Sequence, residues 1–268
     1  MDKIKLVMVD VDFTLLDAKK QCSQENIAAI TRLNQKQIKF GIASGRTLFN
    51  LKRVLPTWQL NDKVDFLIGS NGAEIFDMRQ NQLYQNCFLK KEVIWDIYAT
   101  IIASKLDVSI CVYEDDYLAT NHLTTEYLQR TQATALKQKV INYQEYVTKA
   151  LAKVIVVANP LVIDKLIAYL DTLEIKDYRY FKSQPMMLEV TNPSLSKSYG
   201  VKLAGELLGL EANEIMTIGD NDNDIEMVRD FQGVAMANAT NKVKEVATYH
   251  TTSCEESGVA HIINKLIL

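Results

Sequence analysis

Apolar residues along this chain fall into two alternating patterns. Short unbroken runs such as "KLVMVDV" (5–11) and "KFGIASGR" (39–46) read as buried strands. Between them, "SQENIAAITRLNQKQI" (23–38) sets Ile27, Ile30 and Leu33 at helical spacing, with Ser23 placed to cap the first turn. "TLFNLKRVLP" is a helix stopped by Pro56, and "VDFLIGSNGAEIFD" (64–77) is a third strand that breaks at 69–72. Strand–helix–strand repetition with short loops predicts a parallel sheet covered by helices on both faces.

From about residue 85 the pattern changes. A long amphipathic segment, "KKEVIWDIYATIIASKL", leads into "DVSICVYEDDYLAT", and a polar, weakly periodic stretch rich in Thr and Gln fills 120–150. "KVIVVANP" and "MMLEVT" then read as strands around a helix that begins near Pro160. Strands flanked by charge and tyrosine predict an α+β module with one wet sheet face. After it the first pattern returns in "SKSYGVKLAGELLGL", "EIMTIGD", "NDIEMVRDF" and "GVAMANA". The expected organisation is a discontinuous α/β domain, 1–84 plus 186–268, interrupted by an α+β domain at 85–185.

Composition narrows the function classes. The 268 residues are 48% hydrophobic and 24% charged, as in ordinary globular proteins, and the net charge of -3 gives no reason to expect a nucleic-acid partner. Cys22, Cys87, Cys111 and Cys254 are scattered, which fits a reducing compartment rather than a disulfide scaffold or a zinc site. Histidines number three, so a histidine-rich metal centre or a Ser-His-Asp triad is disfavoured. The N-terminus does not resemble a signal peptide and no apolar run approaches 18 residues, so a cytoplasmic protein without a membrane partner is expected.

The chemistry lies where the apolar runs end. Asp10 and Asp12 are two residues apart at the end of the first strand, where alternation turns both carboxylates to one side. "GDNDND" sets Asp220, Asp222 and Asp224 behind another buried strand. Ligands of open parallel sheets sit beyond the carboxyl ends of the strands. Carboxylates gathered there repel one another unless a cation intervenes, and an oxygen-only donor set suits Mg²⁺. Ser44 and Gly45, between a strand and a helix, offer a hydroxyl and backbone amides to a phosphate. Lys197 lies at a helix start, an uncomfortable place for a cation unless a carboxylate and an anion surround it. A response-regulator receiver also combines acids, a hydroxyl and a lysine, but it is near half this length and has no place for the insertion.

Taken together, "DVDFTLL", "IASGR", "SNGA", "SLSKSYGV" and "GDNDNDIEM" resemble the haloacid dehalogenase superfamily, and more closely its Cof-type phosphatases with a large α/β cap between the second and third motifs. The resemblance implies an α/β fold, a Rossmann-like parallel-sheet core with an inserted α+β cap that sets substrate specificity. It implies Asp10 as nucleophile and Asp12 as acid/base, with the Asp12 backbone carbonyl, Asp10, Asp220 and Asp224 around Mg²⁺. Ser44 and Lys197 would act on the phosphoryl group, and Gly45, Arg46, Asn71 and Asn223 would lie near the phosphate. Phe13 stands where the family usually has glycine or another small or acidic residue. The implied reaction is hydrolysis of a small phosphorylated metabolite, sugar phosphates first, by a monomer or weak homodimer. A phosphomutase or phosphotransferase, or a noncatalytic phosphometabolite-binding module, is the alternative.

Overall fold

The computed structural model describes residues 4–134 and 136–268. Two units partition the chain: Met1–Asn86 with Leu195–Leu268, and Cys87–Ser194. In the first unit the chain opens with β1 (Leu6–Val9), α1 (Gln24–Gln35), β2 (Lys39–Ala43) and α2 (Leu48–Val54). Ser23 and Thr47 cap the two helices, accepting from the backbone N–H of Asn26 and Asn50. β3 (Phe66–Gly69) follows, and the chain then turns back into β4 (Glu74–Asp77) and β5 (Gln82–Gln85).

The segment 64–77, expected as one strand with a break, is therefore an antiparallel pair. Ser70, Asn71 and Gly72 take positive φ of 51°, 57° and 103°, and three such residues in a row reverse the chain. At Gly72 a Cβ would lie 2.1 Å from the Ser196 carbonyl oxygen, so the turn packs directly on the residue that caps a later helix.

The second unit contains α3 (Lys91–Ala103), β6 (Ser109–Glu114), β7 (Tyr117–Thr120), α4 (Thr125–Thr134), β8 (Lys137–Val140), α5 (Tyr143–Tyr146), β9 (Val154–Val157), α6 (Pro160–Leu170), β10 (Arg179–Gln184) and β11 (Met187–Thr191). Its six strands run in the order β10-β11-β9-β6-β7-β8. One face buries Ile110, Val112, Val154, Val156, Leu188 and Val190 beneath Ile94, Ile97 and Ile101 of α3 and Ile163 and Leu166 of α6. The other face packs Cys111, Ile155, Val157 and Met187 on Tyr127 of α4. The strand 187–191, which a boundary at 185/186 leaves outside the insertion, pairs with both β9 and β10 and so lies within this unit.

The chain then returns to the first unit with α7 (Lys197–Leu208), β12 (Ile215–Gly219), α8 (Ile225–Asp230), β13 (Gln232–Ala235), α9 (Asn241–Val246), β14 (Tyr249–His250) and α10 (Gly258–Leu266). The completed sheet has the order β14-β13-β12-β1-β2-β3-β4-β5, parallel from β14 through β3. No helix among the described residues is long and apolar enough to cross a membrane.

Candidate active site

Register brings the predicted acids together. In the β1–β12 pair Val9 lies opposite Ile218, and the Asp10 N–H donates to the Ile218 carbonyl at 2.9 Å. Asp10 and Asp220 thus leave adjacent strands at the same sheet edge. On the other side of β1, Val9 pairs with Ile42, so Ser44 comes off β2 at this edge, and its N–H donates to the Ile68 carbonyl of β3. The carboxyl ends of β12, β1, β2 and β3 therefore present Asp220, Asp10, Ser44 and Asn71 in spatial order.

Ligand oxygens of Asp10, Asp220 and Asp224 lie within 4.8 Å of one another, and all three residues are buried. Lys197 is 1% exposed and its Nζ donates to Asp10 Oδ1 and Asp224 Oδ1, each at 2.6 Å. Ser196 caps α7 by accepting from the Tyr199 N–H, which fixes the turn that aims Lys197 inward. The second oxygen of Asp224 accepts from the backbone N–H of Asp220 and Asn221. Thr14 donates to Asp220 Oδ1 at 2.8 Å, tying the loop after β1 to the end of β12.

The electrostatics are unbalanced. Burial pushes the Asp10 carboxyl well above its usual range, and the charges of Asp224 and Asp220 add to the rise while Lys197 opposes it. Burial and Asp224 likewise push Asp220 up to about 6, against the opposing Thr14 hydrogen bond and Lys197 charge. For Lys197, burial favours the neutral amine, but Asp10 and Asp224 outweigh it and hold the ammonium above its ordinary value. With three ionised carboxylates against one ammonium, two negative charges remain uncompensated. An all-oxygen donor set with that deficit fits one hard dication.

Asp12 is held apart from this cluster. Arg46 grips it bidentately, Nε to Oδ2 at 2.9 Å and Nη2 to Oδ1 at 2.7 Å, and Lys20 Nζ reaches Oδ1 at 2.7 Å. Burial alone would raise the Asp12 carboxyl, but hydrogen bonds and charge from Arg46 and Lys20 prevail and hold it low. The Arg46 fork is thus directed at Asp12. On the phosphate side, Ser44 Oγ accepts from the Arg46 N–H at 3.2 Å, and Asn223 Nδ2 donates to Asn71 Oδ1 at 3.2 Å. Gly45 abuts that same amide, where a Cβ would stand 3.1 Å from Asn71 Oδ1.

Lys20 is not marked by the sequence pattern. It sits 4.4 Å over the Phe13 ring, and both residues take left-handed backbone, with φ of 64° and 62°. Asn238 supports this turn by donating to the Phe13 carbonyl at 2.8 Å. The one legible signal was Phe13 itself, a bulky residue where a glycine-like conformation is required.

A family model described as haloacid dehalogenase-like hydrolase matches residues 7–263. The chain belongs to this family. Among relatives of this haloacid dehalogenase-like hydrolase, the 5-amino-6-(5-phospho-D-ribitylamino)uracil phosphatase YcsE of Bacillus subtilis is 27% identical over 271 residues, spanning 99% of this chain and 96% of the relative. A solved haloacid dehalogenase-like hydrolase from Bacteroides thetaiotaomicron superposes with a TM-score of 0.86 at 27% identity, covering 99% and 100% of the two chains. BT4131, titled a subclass IIB sugar phosphatase, shares the fold with a TM-score of 0.79 at 20% identity over 97% and 98% of the chains.

Proposed function

We propose that this protein hydrolyses small phosphate monoesters, sugar or polyol phosphates first, through an aspartyl-phosphate formed on Asp10 with Mg²⁺ as cofactor. That it is a phosphoric monoester hydrolase rests on the family and on relatives named as phosphatases. The observation that carries the finer reading is the convergence of Asp10, Asp220 and Asp224 on the buried Lys197 ammonium. The substrate class follows the Bacillus relative, whose name places its phosphate on a ribityl chain.

Asp10, Asp220, Asp224 and the Asp12 backbone carbonyl would hold Mg²⁺, which when bound offsets the repulsion between carboxylate and phosphate and neutralises charge on the transferring group. An Asp10 carboxylate oxygen attacks phosphorus; the ester P–O bond breaks, and the leaving alkoxide takes a proton from Asp12. Water then attacks the aspartyl-phosphate, Asp12 accepts its proton, and inorganic phosphate leaves with Asp10 restored. The bidentate grip of Arg46 fixes the position of the Asp12 carboxylate. The incoming phosphate dianion opposes both cations around Asp12 and shifts it toward its protonated form. Lys197 steadies Asp10 and the phosphoryl oxygens, Ser44 donates to one of them, and the Asn71–Asn223 pair and the Gly45 amide line the anion site. The inserted unit selects the alcohol portion.

The test is phosphate release from a panel of sugar, polyol, nucleotide and cofactor phosphates, with Mg²⁺ or with EDTA, for the wild type and Asp10→Asn. Mg²⁺-dependent release lost by at least about a thousandfold in the variant supports the reading. Equal release by both proteins, or none from any ester, refutes it. Phosphate appearing on an added alcohol in place of water identifies a phosphotransferase.

A further inference from the structure

A second polar cluster lies on the face of the inserted sheet that packs against α4. Strand alternation sets it there: Tyr113 is two residues from Cys111, Lys153 two from Ile155 and Glu189 two from Met187, all on the Tyr127 side. Lys153 Nζ donates to Glu189 Oε2 at 2.9 Å in a pair whose side chains are only 5% and 8% exposed. The Lys153 ammonium also lies 5.6 Å over the Tyr113 ring, whose hydroxyl oxygen accepts from Arg130 Nη2 at 2.9 Å.

Arg130 lacks the compensation that Lys153 has. Its hydrogen-bond acceptors are neutral, Tyr113 and, at 3.4 Å, the Gln184 amide oxygen, and among the described residues it has no carboxylate partner. Two of its five N–H groups are thereby engaged. Its Nε is buried without an acceptor. Because the Tyr113 oxygen accepts from Arg130, its own proton is available to donate. Guanidinium and phenol therefore offer donors in excess of acceptors around one positive charge. An oxyanion suits that surplus, since two of its oxygens match the guanidinium fork.

We propose that Arg130 and Tyr113 form a binding site on the inserted unit for an oxyanion, a carboxylate or phosphate carried on a substrate or supplied by a separate ligand. The site goes beyond the hydrolysis proposed for Asp10, and its direct test does not depend on turnover.

Sulfate is titrated into the full-length, Mg²⁺-loaded protein while the Arg130 Nε–H signal is followed by ¹H–¹⁵N NMR. The expected result is a saturable shift with a midpoint of about 10 mM or lower, near −3 kcal/mol. Tyr113→Phe raises that midpoint by about tenfold, the effect of one hydrogen bond to a charged group. The remaining backbone signals report whether this variant is misfolded. An Arg130 signal that stays fixed or drifts linearly with salt overturns the site, as does an unchanged midpoint in the folded Tyr113→Phe variant. Given a site, KM ratios for esters with and without a second oxyanion identify the source. A ratio altered by Arg130→Gln assigns the anion to substrate, and an unaltered ratio assigns it to a separate ligand.

Discussion

Asp220→Asn makes the metal-free protein more stable while removing its activity. Asp220 is 8% exposed, and its carboxyl is raised from an ordinary 3.8 to about 6 by burial and by Asp224. An acid whose folded pKa is raised keeps a proton that the unfolded chain has already released. Native stability therefore falls as pH rises from 3.8 through about 6, and the penalty is complete above that window. About two pKa units correspond to at most about 3 kcal/mol at neutral pH. Asparagine keeps an oxygen for Thr14, which now donates at 2.8 Å, and removes the charge. In EDTA at pH 7.5 the variant should gain about 1–3 kcal/mol, or about 2–4 °C in Tm per kcal/mol for a domain of this size. Added Mg²⁺ at a hundredfold over its Kd should stabilise the wild type by about 2.7 kcal/mol and the variant by much less. Thermal and urea unfolding, each with and without Mg²⁺, measure both effects. A variant that is less stable in EDTA, or that gains as much from Mg²⁺ as the wild type, refutes the view that Asp220 is strained for a cation.

Three further outcomes follow from the same geometry. Thr14→Val removes the hydroxyl from Asp220 at nearly constant volume and should weaken Mg²⁺ about 10–100-fold, read as the Mg²⁺ dependence of phosphate release. Gly72→Ala puts a Cβ 2.1 Å from the Ser196 carbonyl at φ +103° and should cost about 2 kcal/mol or more in urea unfolding, with activity falling as Lys197 shifts. Asp77 is buried, and although burial would raise its carboxyl, Arg79 outweighs this and holds it below 3.8. Its contribution is present above 3.8 and lost as pH falls through the depressed folded value, so Asp77→Asn should flatten the acid limb of a stability–pH curve.

Much of the first unit was legible because its strands are nearly continuous apolar runs, and its acids interrupt or follow those runs. Asp10, Asp220 and Asp224 stood out for that reason, and Lys197 by its place at a helix start, where a cation is uncomfortable without a nearby anion. The reversal at 70–72 was hidden because Ser70 and Asn71 are not obligate turn formers, and only Gly72 marked the spot. In the inserted unit, α4 buries only Tyr127 and Thr131, and β8 is mostly exposed, so neither left a hydrophobic period in the Thr- and Gln-rich stretch. Arg130 was obscured along with α4. Tyr127 and Tyr178 are core residues on opposite faces of that sheet. Lys20 meets Asp12 only because two left-handed residues fold the intervening loop, and no side-chain pattern encodes that.

The most direct test of the central claim is a crystal structure of the full chain with Mg²⁺ bound. A single ion is expected, with carboxylate oxygens of Asp10 and Asp220 both at about 2.0–2.1 Å. An ion bound elsewhere, or Asp10 and Asp220 side chains more than about 10 Å apart with the ion present, beyond any shared coordination sphere, would contradict it.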